Sequence, residues 1–218
     1  MTSGRDAFAA ALRRHGIVAI LRGVAGATLA ARVQALHAAG IRLIELALSE
    51  PVALPLVAQL ARVAPPDMLV GAGTVTSRAL AEAAHAAGAR FLVTPHVAPD
   101  VVAYADTHDL GVLCGALTPS EIAAVHAAGG RFVKLFPASA LGPAYLRALR
   151  GPYPTLEVVA VGGVGSANLA AYLEAGAVGA GVGGALSGGS AADGFAAASA
   201  EAAALVATYE RHLRTGHP

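Results

Sequence analysis

"HAAGIRLIE" (37–45), "HAAGARFLV" (85–93) and "HAAGGRFVK" (126–134) are one nonapeptide pattern written three times. Each joins a helix end to a glycine stop and then to an apolar run, so each predicts the entry into a strand. A weaker fourth copy, "LEAGAVGAG", begins at Leu173. From residue 17 onward eight such runs follow one another, about two dozen residues apart. They are "IVAILR" (17–22), "RLIELAL" (42–48), "MLVGAGT" (68–74), "RFLVTP" (90–95), "GVLCGA" (111–116), "RFVKLF" (131–136), "EVVAVGG" (157–163) and "AVGAGVG" (177–183). Alanine-rich stretches with helical apolar spacing lie between them. Strict alternation of eight strands and eight helices predicts an α/β chain closed into a (β/α)8 TIM barrel. An open doubly wound sheet is the competing arrangement. Against it, neither "GAGTVTS" (71–77) nor "GVGG" (181–184) makes a GxGxxG turn early in the chain.

The repeat feeds strands 2, 4, 6 and 8, and aligning its copies puts Glu45, Val93, Lys134 and Gly181 at one equivalent position. In a barrel, alternate strands supply the four side chains of one interior layer. Glu45 and Lys134 are therefore expected to point inward at one level, beside a small residue. His37, His85 and His126 fall at helix ends on the opposite face, near favourable carbonyls.

The chain has 218 residues, 56% hydrophobic and 13% charged, with a net charge of +1. That suits a single barrel domain over 1–218 with a large core and no linker. Its arginines are scattered, which argues against a nucleic-acid partner and against a membrane-surface helix. No uninterrupted apolar run has the length of a membrane span. The lone Cys114 has no partner for an internal disulfide, so a reducing cytoplasm is the expected compartment. "MTSGRDAFAAALRRHG" (1–16) lacks a signal-peptide core and reads as a short N-terminal helix, with Ser3 or Asp6 near its start and Gly16 as its stop.

Lys134 is the only lysine among the 15 Lys+Arg residues. A charge inside a barrel is costly unless paired. One reading is a structural ion pair with Glu45. Arginine, however, is the better residue for a buried bidentate pair, and this chain uses arginine everywhere else. What lysine does and arginine does not is lose its proton and attack a carbonyl. A free lysine titrates near about 10.4, and burial lowers that value. Glu45 by itself raises it, so the carboxylate is better placed as a proton shuttle once the lysine has reacted.

"AVGGVGSANLAAYL" (160–173) runs from a strand through Gly162 and Gly163 into a helix with Ser166 at its cap, and "GVGGALSGGS" (181–190) repeats the theme. Such turns are either tight turns without a ligand or sites where backbone N–H groups meet a phosphate, as they commonly do after the last two strands of a barrel. Thr74 stands at the end of strand 3. Arg22 ends strand 1, either as a clamp for a substrate carboxylate or as a surface arginine.

From "GIVAILRGV" to "GAGVGGAL" the chain resembles the class I aldolases that cleave 2-keto-3-deoxy sugar-acid 6-phosphates through a lysine imine. The resemblance rests on "IELALSEP" with Glu45, "GAGTV" with Thr74, "VTPH" with Pro95, "FVKLFPAS" with Lys134 and Phe136, and the turns "VGGV" and "GVGGAL". It implies Lys134 and Glu45 as catalytic residues, and Arg22 and Thr74 at the carboxylate end. Pro95 and Phe136 would shape the pyruvyl pocket, and Gly162, Gly163, Gly183 and Gly184 would hold the phosphate. It also implies no metal and no cofactor, pyruvate and a phosphorylated keto-deoxy sugar acid as ligands, and a homotrimer.

Within that family the chain is closer to the galactonate type. It carries "AILRG", "LFPASALGPAYLRAL", Val161 where the gluconate type usually has threonine, and Ser49 where that type usually has arginine. A threonine hydroxyl bonds a substrate hydroxyl of one configuration, and a valine does not. The implied reaction is cleavage of 2-dehydro-3-deoxy-6-phospho-D-galactonate to pyruvate and D-glyceraldehyde 3-phosphate. A gluconate-type or dual-specificity aldolase, an isomerase using Glu45 as base, and a non-catalytic phosphosugar-binding barrel are the alternatives. Two departures from the family pattern are His96, where the galactonate type usually has a small amide, and Gly184, where a serine is common.

Overall fold

The computed structural model describes residues 3–49, 53–187 and 192–216. Eight parallel strands close into a barrel, with β1 hydrogen-bonded to both β2 and β8. The strands are β1 (Ile17–Leu21), β2 (Leu43–Ala47), β3 (Leu69–Gly73), β4 (Phe91–Val93), β5 (Gly111–Ala116), β6 (Phe132–Leu135), β7 (Glu157–Val161) and β8 (Ala177–Val182). The expected (β/α)8 TIM barrel is therefore present, and each strand falls inside its predicted run.

A helix precedes β1: α1 (Gly4–His15). Between the strands lie α2 (Gly26–Ala38), α3 (Ala53–Val63), α4 (Arg78–Ala86), α5 (Pro99–Thr107), α6 (Pro119–Ala127), α7 (Gly142–Leu149) and α8 (Leu169–Glu174). After β8 come α9 (Gly184–Ser187) and α10 (Ala192–Arg214), where one helix was expected. Residues 188–191, which follow Ser187 in sequence, lie outside the described residues.

Strand residues alternate between two cores, as the two-residue period of a strand requires. Ile17, Ala19, Leu21, Ile44 and Leu46 pack outward against the helices. Val18, Leu43, Phe91, Val93, Leu113, Phe132, Val159 and Val161 fill the barrel itself. Both faces are buried, which is why the strands read as continuous apolar runs. The N-terminal helix closes the barrel at the end where the strands begin. Phe8 stacks on Phe91 with ring centroids 4.9 Å apart and meets Phe132 edge-on at 5.9 Å.

The start and stop of α1 follow the sequence. Ser3 Oγ accepts from the Asp6 N–H at 3.1 Å, and Gly16 adopts φ 64°. The Asp109 carboxylate, from the turn before β5, accepts from the Gly4 N–H at 2.6 Å and the Arg5 N–H at 3.2 Å. Asp109 thus satisfies two N–H groups that a helix start leaves without intrahelical partners. The repeat's histidines sit at the C-terminal turns of α2, α4 and α6. There they bond locally: His37 to Asp67, His85 to the Tyr104 hydroxyl and His126 to the Gly130 carbonyl.

Ser166 does not cap the helix after β7. That helix begins three residues later, at Leu169, and the Ser166 hydroxyl donates instead to Glu201 on α10 at 2.7 Å.

Candidate active site

The repeat brings its two charged residues into one place. Glu45 pairs with Ile20 of β1 and Gly71 of β3, and Lys134 with Gly115 of β5 and Val159 of β7. Both side chains reach a cleft of about 960 Å³ beyond the C-terminal ends of the strands. All eleven residues singled out in the sequence line it: Arg22, Glu45, Thr74, Pro95, Lys134, Phe136, Val161, Gly162, Gly163, Gly183 and Gly184. This is the end of a barrel on which catalytic groups assemble.

Glu45 is 2% exposed and Lys134 6%, yet no direct ion pair joins them among the described residues. Burial pushes the Glu45 carboxyl up to about 7, against the pull of the Lys134 and Arg22 charges. Its Oε2 is buried with no hydrogen-bond partner. Burial pushes the Lys134 ammonium down, opposed by Glu45 and assisted by Arg22. The Lys134 Nζ lies 5.0 Å from the centroid of the Phe136 ring. A lysine whose ammonium form is weakened by burial stands beside a carboxyl that gains and loses protons near neutrality. Those are the two groups that imine formation at a ketone needs: a nucleophile and a proton carrier.

Glycines open the space between strands. A Cβ on Gly73 would lie 2.5 Å from Glu45 Oε1, and one on Gly181 would lie 2.8 Å from Val161 Cγ2. Gly115 faces the backbone of Pro95 and His96, so only a residue without a side chain lets that segment pass. Thr94, fully buried, fixes the same segment: its hydroxyl accepts from the Gly115 N–H at 2.9 Å and donates to the His96 carbonyl at 2.6 Å. His96 itself is exposed and does not line the cleft.

After β7, Gly162 and Gly163 both take left-handed conformations, with φ of 94° and 74°. A Cβ on Gly163 would lie 2.5 Å from Ser139 Cβ, so this turn requires glycine twice over. Asn168 braces it, its side chain accepting from the Gly165 N–H and donating to the Gly163 carbonyl, each at 2.9 Å. Ser187, at the end of α9, donates to the Ile20 carbonyl at 3.0 Å and accepts from the Arg22 N–H at 3.3 Å. Ser187 therefore ties the β8 turn to the residue that carries the Arg22 guanidinium. Thr94, Asn168 and Ser187 escaped the sequence reading because hydroxyl and amide residues near turns are common and carry no spacing signal.

Among the described residues no group of three or more His, Cys, Asp or Glu side chains is placed to hold a metal ion. No described helix is long and apolar enough to cross a membrane.

The sequence has relatives with the same layout. A "Probable 2-dehydro-3-deoxy-6-phosphogalactonate aldolase" of Rhizobium meliloti is 38% identical over 161 residues, covering 73% of this chain and 76% of the relative. A "2-dehydro-3-deoxy-phosphogluconate aldolase" of Pseudomonas aeruginosa is 37% identical over 140 residues, covering 64% of this chain and 63% of the relative. The KDPG aldolase of Legionella pneumophila, solved with pyruvate captured as a covalent carbinolamine, superposes with a TM-score of 0.79 at 25% identity, covering 94% of this chain and 98% of that one. The family described as KDPG and KHG aldolase matches residues 8–197. The chain belongs to that aldolase family.

Proposed function

We propose that this protein cleaves 2-dehydro-3-deoxy-6-phospho-D-galactonate to pyruvate and D-glyceraldehyde 3-phosphate through an imine on Lys134. The observation that carries the reading is the burial of Lys134 and Glu45 in one cleft, each shifted towards its neutral form. Neutral Lys134 attacks the C2 ketone to give a carbinolamine. Glu45, acting through a water, moves the protons that let hydroxide leave as water and the cationic imine form. Glu45 then takes the C4 hydroxyl proton. The C3–C4 bond breaks, its electron pair passes to the imine nitrogen as an enamine, and the aldehyde leaves. Protonation at C3 and hydrolysis release pyruvate and restore the lysine.

Arg22 and Thr74 hold the substrate carboxylate in this reading, Pro95 and Phe136 bound the pyruvyl group, and backbone N–H groups at Gly162, Gly163, Gly183 and Gly184 meet the phosphate. Val161 favours the galactonate epimer because it offers no hydroxyl at the C4 side. The gluconate epimer is the second reading, supported by the gluconate-type relative of nearly equal identity. A cytoplasmic homotrimer completes the proposal, and sedimentation at three times the chain mass is the result expected for it.

Borohydride added with pyruvate is expected to fix a reduced pyruvyl group on Lys134, read as a mass shift on its peptide. No adduct would sink the imine and favour an isomerase or a binding protein. Coupled pyruvate release from the two epimeric phosphates then decides the substrate.

A further inference from the structure

The turn after β7 is held from outside the cleft by a carboxylate that never enters it. Residues 161–165, 167 and 168 line the cleft, and Ser166 does not. Ser166 faces the other way. Its N–H and its hydroxyl both donate to Glu201 on α10, to Oε1 and Oε2 respectively, each at 2.7 Å. Two hydrogen bonds to one carboxyl group are among the stronger tethers available to a turn. The neighbouring Gly165 fits closely beneath it, since a Cβ there would lie 3.1 Å from Glu201 Oε1. Asn168 braces the same turn from within, the Ser139 N–H donates to the Gly162 carbonyl at 3.0 Å, and Glu201, 35 residues from Ser166 in sequence, fastens the Gly165–Ser166 end to α10.

We propose that Glu201 is a positioning residue for the phosphate end of the substrate: by gripping Ser166 it fixes where the backbone N–H groups of the Gly162–Gly165 turn point. The proposal rests on the aldolase reading and deepens it. Donors aimed at an anion act through placement, and a displacement of about 1 Å at such a site costs up to about a hundredfold. The Lys134 end of the cleft lies on β6 and has no bond to Glu201. The two ends are therefore separable by experiment.

The test compares Glu201→Ala, Glu201→Gln and Ser166→Ala with the parent in two assays. One is the KM for the phosphorylated substrate. The other is solvent deuterium exchange into the methyl group of pyruvate, which uses the lysine end alone. Glu201→Ala is expected to raise KM about tenfold while exchange stays within about twofold. Ser166→Ala keeps the backbone tether and is expected to raise KM by a smaller factor. Glu201→Gln accepts from the Ser166 N–H and donates to its hydroxyl, and is expected to return KM to within about twofold of the parent. An unchanged KM in Glu201→Ala, or a fall in exchange that parallels the rise in KM, overturns the proposal. Should Glu201→Ala not fold, the Ser166→Ala and Glu201→Gln pair decides by the same criteria. A parent protein that fails to exchange pyruvate at all indicts the aldolase reading instead.

Discussion

Gly73 on β3 leaves its side-chain space to Glu45 of β2: a Cβ there would sit 2.5 Å from Glu45 Oε1 and 2.9 Å from its carboxyl carbon. The carboxyl is held by the absence of a neighbour's atom as much as by any bond, and one of its oxygens has no partner. Gly73→Ala is therefore expected to push the carboxyl aside without disturbing the barrel. Overpacking of this kind costs about 1–3 kcal/mol of stability. Turnover is expected to fall at least about tenfold, because the proposed proton carrier is displaced. Thermal melts and pyruvate release measured on the same preparation check both halves.

Glu45→Gln separates the chemical role of the carboxyl from its effect on folding. Burial raises the folded-state value from 4.5 to about 7. The stability associated with this group is fully present below about 4.5 and is lost as pH rises through 7, because the unfolded state ionises first. Glu45→Gln removes that loss. It is expected to match the parent at pH 4.5 and to be more stable at pH 8, by on the order of 2–3 kcal/mol. Turnover is expected to drop about a hundredfold or more while pyruvate binding changes little. In the parent, kcat/KM should fall as pH drops below about 7, the range in which the base becomes protonated. Denaturation at the two pH values and a pH–rate profile are the measurements.

Thr74 adopts φ 59°, the left-handed region that a β-branched residue rarely enters, and it lines the cleft. Such a conformation costs about 1–3 kcal/mol and persists where the surroundings impose it. Thr74→Gly relieves the strain but adds freedom to the unfolded chain, which offsets about 0.5–1 kcal/mol of the gain. Stability is expected to stay within about 1 kcal/mol of the parent or rise, while KM increases because the hydroxyl proposed to hold the substrate carboxylate is gone. Calorimetry and steady-state kinetics check it. A large loss of stability would mean that Thr74 is held there by packing.

The nonapeptide repeat made the barrel and its central pair legible because one alignment of four short segments fixes the register of four alternate strands. Glu45 and Lys134 then had to share a layer, and their strand pairings agree with that. The glycines after β7 were visible as a turn for the same reason that they are needed there, since Gly162 and Gly163 both take positive φ, whereas Gly183 and Gly184 after β8 do not and have room for a Cβ. Other features carry no local pattern. Thr94 matters through bonds to Gly115 and His96, and Glu201 through a bond to Ser166 across 35 residues. Ser166 reads as a helix cap because an alanine-rich apolar stretch follows it at once, but the helix starts only at Leu169 and the serine hydroxyl donates to Glu201 instead.

Val161 closes β7 at the cleft and packs over Gly181, where a Cβ would come within 2.8 Å of its Cγ2. Its neighbours are the apolar Ile20 side of the barrel mouth and the Gly162–Gly163 turn. Val161→Thr replaces one methyl with a hydroxyl at nearly constant shape. The hydroxyl needs a partner in this apolar setting, so the free protein is expected to lose about 1–3 kcal/mol of stability. A substrate that presents its C4 hydroxyl towards β7 supplies that partner, and its epimer leaves the threonine unsatisfied. Discrimination of this kind reaches about ten- to a hundredfold. The ratio of kcat/KM for the gluconate-type over the galactonate-type phosphate is therefore expected to rise by about tenfold, with the pyruvate–borohydride adduct on Lys134 unaffected. Both epimers assayed against the variant give the answer. An unchanged ratio would move the C4 contact off β7, and the opposite wall of the cleft, at Thr74 and Pro95, would become the place to look for it.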